Sequence, residues 1–199
     1  MTEEIAEEEP FAPFARWFDL AAKSEPLAET MTLATATREG VPSLRAVLLK
    51  GADPGGFVFY TNLESRKADE LLGNPRAALC FHWKSLGRQI RIEGPVALVT
   101  DEEADAYFAT RHRDSQIGAW ASDQSRPLES RTVLEQRFQS FARQYAERPA
   151  VPRPPKWSGF RVRPERIEFW QERPFRLHDR IAFTRSSHSG PWRKTRLYP

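Results

Sequence analysis

Residues 77–99 read A-A-L-C-F-H-W-K-S-L-G-R-Q-I-R-I-E-G-P-V-A-L-V. They predict two long strands, Ala77 to Trp83 and Arg88 to Val99. The pattern on both sides agrees. Upstream, Thr32 to Thr37, the turn R-E-G and Leu44 to Lys50 predict a hairpin, and A-D-P-G-G turns the chain into Phe57 to Thr61. Downstream, Phe160 to Val162, Ile167 to Gln171, Arg176 to Thr184 and Trp192 to Leu197 predict four more strands. Helical spacing appears between them. Phe11, Phe14, Trp17, Phe18 and Ala21 share one face of a helix over Phe11 to Ala22, an aromatic stripe that reads as core. Ser65 to Leu72 predicts a short helix stopped by Gly73 and Pro75. Thr100 to Arg111 opens with the capping box T-x-x-E. Leu128 to Glu147 carries Val133, Leu134, Phe138 and Phe141 on one side, and Pro149 to Pro155 is a proline-rich crossing loop. Many strands with tight turns and interspersed helices argue for a mainly β, α+β fold: an antiparallel sheet closed into a barrel with flanking helices.

A chain of 199 residues suits one sizeable core. The expected organisation is a disordered acidic segment over residues 1–10 and a single domain over residues 11–199. No apolar run approaches the ~20 residues needed to span a bilayer, and M-T-E-E-I-A-E-E-E-P is acidic where a secretory signal would be basic. A cytoplasmic protein with no membrane partner is expected. Cys80 is the only cysteine, so no intramolecular disulfide can form, and its apolar context reads as a buried inert thiol. Of 30 basic residues, 24 are arginine. That bias fits phosphate recognition and equally a genome rich in G and C. A net charge of +3, spread along the chain, argues against a nucleic-acid groove.

Two strings carry the chemistry: R-H-R-D-S-Q-I-G-A-W-A-S-D-Q-S from Arg111 to Ser125, and R-L-H-D-R from Arg176 to Arg180. Together they crowd guanidinium, hydroxyl, imidazole and amide groups into short segments, suited to clamping phosphates through charge-assisted hydrogen bonds. Neither G-x-G-x-x-G nor G-x-x-x-x-G-K-[ST] occurs, so side chains must supply the phosphate contacts. Ser65-Arg66-Lys67 opens a helix where the macrodipole disfavours cations unless an anion binds there. Tyr107 and Arg111, four apart on a helix, share a face with Ser115 close behind, a plausible second phosphate pocket. On a strand, Arg176, His178 and Arg180 would point to one face. His82, His112 and His188 form no ligand pattern, so no metal is expected.

The chain resembles the pyridoxine/pyridoxamine 5′-phosphate oxidases, flavin enzymes of the FMN-binding split-barrel group. The two strings carry the resemblance, with R-A-V-L-L-K at Arg45 to Lys50, F-Y-T-N-L-E-S-R-K at Phe59 to Lys67, R-Q-I-R-I-E-G at Arg88 to Gly94, I-E-F-W at Ile167 to Trp170 and the closing R-L-Y-P. It runs from about Phe14 to the C-terminus. It implies a split barrel and a homodimer with FMN at the interface. It implies that the flavin is contacted by Arg45, Ala46, Val47, Leu48, Leu49, Lys50, Tyr60, Thr61, Arg66, Lys67, Gln89, Gln124, Ser125, Trp170 and Arg180. The substrate set it implies is Lys50, Tyr107, Arg111 and Ser115 on the phosphate, with Arg176, Leu177 and His178 at the reacting end, Arg176 and His178 as the catalytic pair. The implied reaction is oxidation of pyridoxamine or pyridoxine 5′-phosphate to pyridoxal 5′-phosphate, with dioxygen as acceptor and hydrogen peroxide as product. Two alternatives stand beside it. One is a related flavin oxidase of the phenazine-pathway type, in which the lysine matching Lys50 and the R-D-S-Q-I-G-A-W string differ. The other is a non-catalytic flavin- or pyridoxal-phosphate-binding protein. The chain departs from the family upstream of the aromatic helix, where acidic residues replace an arginine- and tyrosine-containing segment, and at His112 and Ser158.

Overall fold

A computed structural model describes residues 5–199. Helix α1 (Phe11–Ser24) precedes strands β1 (Thr30–Ala36), β2 (Pro42–Leu48), β3 (Gly51–Asp53) and β4 (Gly56–Asn62). Helix α2 (Arg66–Gly73) leads into β5 (Arg76–Trp83) and the long β6 (Arg88–Leu98). Three helices follow, α3 (Asp101–Thr110), α4 (Arg113–Ala121) and α5 (Arg131–Gln144), then β7 (Trp157–Val162), β8 (Arg166–Gln171), β9 (Asp179–Thr184) and β10 (Arg193–Leu197). All pairings are antiparallel. One run of the sheet has the order β10-β9-β8-β6-β5-β1-β2, and β6 also pairs β7, which pairs β4.

The fold turns on β6. Its first half, Arg88 to Glu93, pairs β8, and its last residues, Val96 to Leu98, pair β7. The exchange happens at Gly94, where the turn between β7 and β8 crosses: the Arg163 amide donates to the Pro95 carbonyl at 2.8 Å and the Glu165 amide to the Glu93 carbonyl at 2.9 Å. A Cβ on Gly94 would lie 2.0 Å from the Arg163 carbonyl oxygen, so only glycine admits the crossing. The sheet thereby curls into a barrel that is split between β2 and β4, which share no ladder. Phe57, Phe59, Phe81, Phe160 and Phe169 fill the interior, each at most 2% exposed. Helix α1 plugs one side, with Phe14 edge-on to Phe57 and Phe81.

The structure differs from the sequence reading in several places. Of the expected disordered leader, residues 1–4 lie outside the described residues. In 5–10, Ile5 is buried in the core and Lys194 donates to the Ala6 carbonyl, so apolar burial and a β10 cation fix this segment. Helix α4 was not foreseen; it takes in the whole R-D-S-Q-I-G-A-W string. Arg176 is not on a strand. Pro174 to Arg176 form a single 3-10 turn, Phe175 and Arg176 have φ of 60° and 64°, and β9 begins at Asp179. Pro174 cannot donate to a ladder, and left-handed backbone at two residues reverses the chain instead. The capping box is present as read: Thr100 and Glu103 exchange side-chain and backbone hydrogen bonds.

Gly94→Ala should therefore cost roughly 1–3 kcal/mol or more, since backbone must move to admit the methyl. Gly118→Ala, inside α4 with nothing within 4 Å of its Cβ position, should gain about 0.5–1 kcal/mol. Thermal unfolding of the two variants checks the contrast.

Candidate active site

The gap between β2 and β4 opens into a cavity of about 500 Å³, within the range of small-molecule sites. Because β2 ends the sheet, alternate backbone N–H and C=O groups along Arg45 to Leu48 face this space instead of a neighbouring strand. Tyr60 and Thr61 of β4 form the opposite wall, Lys67 the end, and Tyr107, Arg111 and Ser115 the helical side. Lys50 and Gln124 complete the lining expected from the sequence, and Trp157 and His112 add to it. A second cavity of about 590 Å³, between α1, the segment before β1 and the start of β3, is lined by Phe14, Phe18 and Leu27 and by Asp19, Glu25 and Glu29, with Lys50 as its one cation. Its charge does not suit an anion.

Packing sets each wall. Tyr60 stacks on Tyr107 at 4.1 Å and on Trp157 at 5.2 Å. Gly159, opposite Tyr60 in the ladder, makes room for that ring, since a Cβ there would lie 2.7 Å from Tyr60 Cδ1. Arg153 ties Trp157 to α3, donating to the Trp157 carbonyl at 2.8 Å and pairing with Asp101 and Asp105. Asp123, held by Arg137 at 2.5 Å and by Lys156, fixes the loop that carries Gln124. Those two hydrogen bonds keep its carboxyl down at about 2.

The cavity is cationic and partly dry. Lys67 Nζ donates to Gln124 Oε1 at 2.7 Å, Thr61 Oγ1 at 3.1 Å and Ser65 Oγ at 3.3 Å. Burial, helped by the nearby Arg45 charge, pulls its pKa down to about 8. Arg111 lies over the Trp157 ring at 4.9 Å, and its Nη1 is buried without a hydrogen-bond partner. Desolvation lowers its pKa as well. A buried guanidinium nitrogen with no acceptor calls for an anion.

The remaining expected residues do not line this cavity, although Arg66 stands next to its end at Lys67. Arg66 projects from the start of α2 and pairs with Glu70 at 2.9 Å. Leu49 points into the core. Ser125 follows Gln124 with φ of 70° and does not line the cavity. Gln89, Trp170, His178 and Arg180 form a second cluster: Gln89 and Trp170 are ladder partners, as are Trp170 and Arg180, and the His178 ring lies 4.6 Å from Trp170. Arg180 donates to Glu168 Oε1 and the Tyr198 carbonyl. Arg176 and Leu177 are exposed beside this cluster. Strands β1, β5 and β6 separate β2 from β8, about four strand spacings or roughly 19 Å along the sheet. Trp157 and His112 had no role in the sequence reading. An aromatic at a strand start reads as core, so no local signal marked Trp157.

The sequence model for pyridoxamine 5′-phosphate oxidase matches residues 21–145, and that for the pyridoxine 5′-phosphate oxidase C-terminal dimerisation region matches residues 157–199. This chain belongs to the pyridoxine/pyridoxamine 5′-phosphate oxidase family. The oxidase of that name from Rhodospirillum rubrum is 64% identical over 98% of both chains. The one from Mesorhizobium japonicum is 60% identical, over 96% of this chain and 93% of its own. Among solved structures, PhzG from Burkholderia lata, in complex with tetrahydrophenazine-1-carboxylic acid, superposes with a TM-score of 0.91 at 30% identity, over 98% of this chain and 95% of its own. A pyridoxamine 5′-phosphate oxidase-related, FMN binding protein from Nostoc punctiforme shares the fold, with a TM-score of 0.77 at 17% identity over 97% of this chain. The split barrel expected from the sequence is the fold of this family member.

Lys67 gives the cavity a pH dependence. Its ammonium is charged below about pH 8 and neutral above, and a phosphate dianion favours the charged form. Affinity for a phosphate monoester should fall as pH rises through about 8, by at most about tenfold per unit, with proton uptake on binding. Calorimetric titration between pH 7 and 9 reads both, and a flat profile would mean that Lys67 does not meet the anion.

Proposed function

We propose that this protein oxidises pyridoxamine 5′-phosphate and pyridoxine 5′-phosphate to pyridoxal 5′-phosphate with bound FMN, dioxygen serving as acceptor and hydrogen peroxide leaving as product; from the amine, water supplies the carbonyl oxygen and the nitrogen leaves as ammonia. The observation that carries this reading is the cavity in the split, where Lys67, Arg45, Lys50 and the unpartnered Arg111 Nη1 meet an open strand edge. Its residues fit the flavin. The exposed backbone of Arg45 to Leu48 suits the polar edge of a heteroaromatic ring, and Arg45, Arg66 and Lys67 suit a terminal phosphate. FMN, when bound, would accept hydride from the substrate's exocyclic 4′ carbon and return the electrons to dioxygen.

The chain's own residues bind and orient. Lys50, Arg111, Tyr107 and Ser115 would hold the substrate's phosphate, with Arg111 stiffened by the Trp157 ring beneath it. No covalent nucleophile is required; near-attack placement suffices. Gln89, Trp170, Arg176, Leu177, His178 and Arg180 do not line this cavity, so we assign them to the cavity of a second copy. Exposed Leu44 and Leu48 beside the cavity, and Phe175, Leu177 and Tyr198 beside the second cluster, leave apolar surface at both places for such a homodimer to cover. The C-terminal dimerisation match supports a homodimer. The reading further assigns the protein to the cytoplasm; among the described residues no helix is long and apolar enough to cross a membrane.

A second reading rests on the PhzG likeness, oxidation of a reduced tricyclic acid. The two differ at the phosphate pocket, which such a substrate would not need.

The purified protein should be yellow, release FMN and not the dinucleotide by mass spectrometry, and consume oxygen with pyridoxamine 5′-phosphate. Absence of flavin after reconstitution would sink the proposal. Arg111→Ala should remove a charge-assisted contact of about 1.5–3 kcal/mol, lowering kcat/KM for the phosphorylated substrate about ten- to over a hundredfold while flavin retention stays unchanged. Steady-state kinetics with a parallel flavin titration separates this from cofactor loss.

A further inference from the structure

Behind the cationic wall of the cavity lies one acidic side chain that the function above does not use. Glu70, on α2, is 5% exposed. Its Oε1 accepts from Arg66 Nε at 2.9 Å. Its Oε2 accepts from Ser43 Oγ at 2.6 Å and from the Thr35 hydroxyl, and lies 3.3 Å from Arg45 Nη2. Arg45 in turn donates to the hydroxyls of Thr35 and Ser43 and to the Leu33 carbonyl. One carboxylate thus joins α2, β1 and β2 and grips two of the three cations assigned to the cofactor phosphate.

We propose that Glu70 is a positioning residue for that phosphate: it fixes the guanidinium groups of Arg45 and Arg66 so that an acidic side chain strengthens the binding of an anion. The proposal rests on the FMN reading. Arg66 gives Glu70 only its Nε, which leaves its terminal Nη1 and Nη2 pair free to fork an incoming phosphate. Without an anchor, that side chain, 62% exposed, would have to be ordered at the moment of binding. Arg45 is fastened by both terminal nitrogens and keeps Nε. The carboxylate also separates two cations that would otherwise repel each other across the gap between α2 and β2. Burial opposes its ionisation, but hydrogen bonds from Ser43, Thr35, Arg66 and Arg45 outweigh it and hold the pKa at about 2, so the anchor is charged at any working pH.

The sign of one substitution decides the matter. If Glu70 were merely a negative charge near the site, Glu70→Gln would tighten binding of the phosphate by removing repulsion. If it positions, the same change weakens binding, because a glutamine amide turns a donor toward one of the two arginines. Riboflavin, the same ring system without the phosphate, is the control that a purely structural role would move equally. Apo-protein titrated by flavin fluorescence quenching should show an FMN dissociation constant at least tenfold higher in Glu70→Gln, with the riboflavin constant within twofold of wild type. Ser43→Ala, which removes one strut and leaves the charge, should raise the FMN constant by about threefold and carries the test alone if Glu70→Gln does not fold. Unchanged or tighter FMN binding, or equal losses for FMN and riboflavin, overturns the proposal. A wild-type protein that does not prefer FMN over riboflavin overturns the FMN reading itself, and the proposal with it.

Discussion

The gap between β2 and β4 is the constraint around which the molecule is organised. Nine strand pairings satisfy backbone groups elsewhere, yet these two neighbours face each other without a ladder. An open edge needs a partner for its N–H and C=O groups. Here helices α3 and α4 and the loop at Gln124 wall the space off, leaving a cavity with backbone on one side and aromatic rings on the other. Gly94 and Gly159 serve that outcome at separate points. The first lets β6 change partners so that the barrel closes short of β2, and the second lets Tyr60 lie flat against β7.

Charge is distributed to match. Lys67 and Arg111 lose hydration without gaining a carboxylate, and burial lowers both pKa values. A desolvated cation without a counter-charge is unfavourable for the isolated fold and favourable for an anionic ligand. The acids, by contrast, stand one layer back. Glu70 braces Arg45 and Arg66, Asp123 braces the Gln124 loop, and Glu168, 2% exposed, accepts from Arg91, Arg166 and Arg180 together. Glu70 and Glu168 share one device: a buried carboxylate orders arginines without occupying the ligand's place.

The second cluster follows a different logic. Phe175 and Arg176 sit in left-handed backbone, a conformation that costs non-glycine residues roughly 1–2 kcal/mol each. His178 is held beside Trp170, with its Nδ1 accepting the Arg173 amide at 3.2 Å. None of these residues lines the cavity in the split.

The sequence by itself determined a great deal. Alternation and turn residues specified the strands, T-x-x-E specified the start of α3, and the Arg111 to Ser125 string marked residues that line the cationic cavity, because each signal is carried by residues a few positions apart. Lys50, Thr61, Lys67, Tyr107, Arg111 and Gln124 were all named from the sequence and meet in one cavity. Only the tertiary structure decided that Arg176 leaves the strand, that Trp157 and His112 enter the site, and that Glu70 stands behind Arg45 and Arg66. Those outcomes depend on contacts between residues distant in the chain: the Gly94 crossing, the Tyr60–Trp157 stack and the carboxylate shared by α2, β1 and β2. No local pattern encodes which side chains a curled sheet brings face to face.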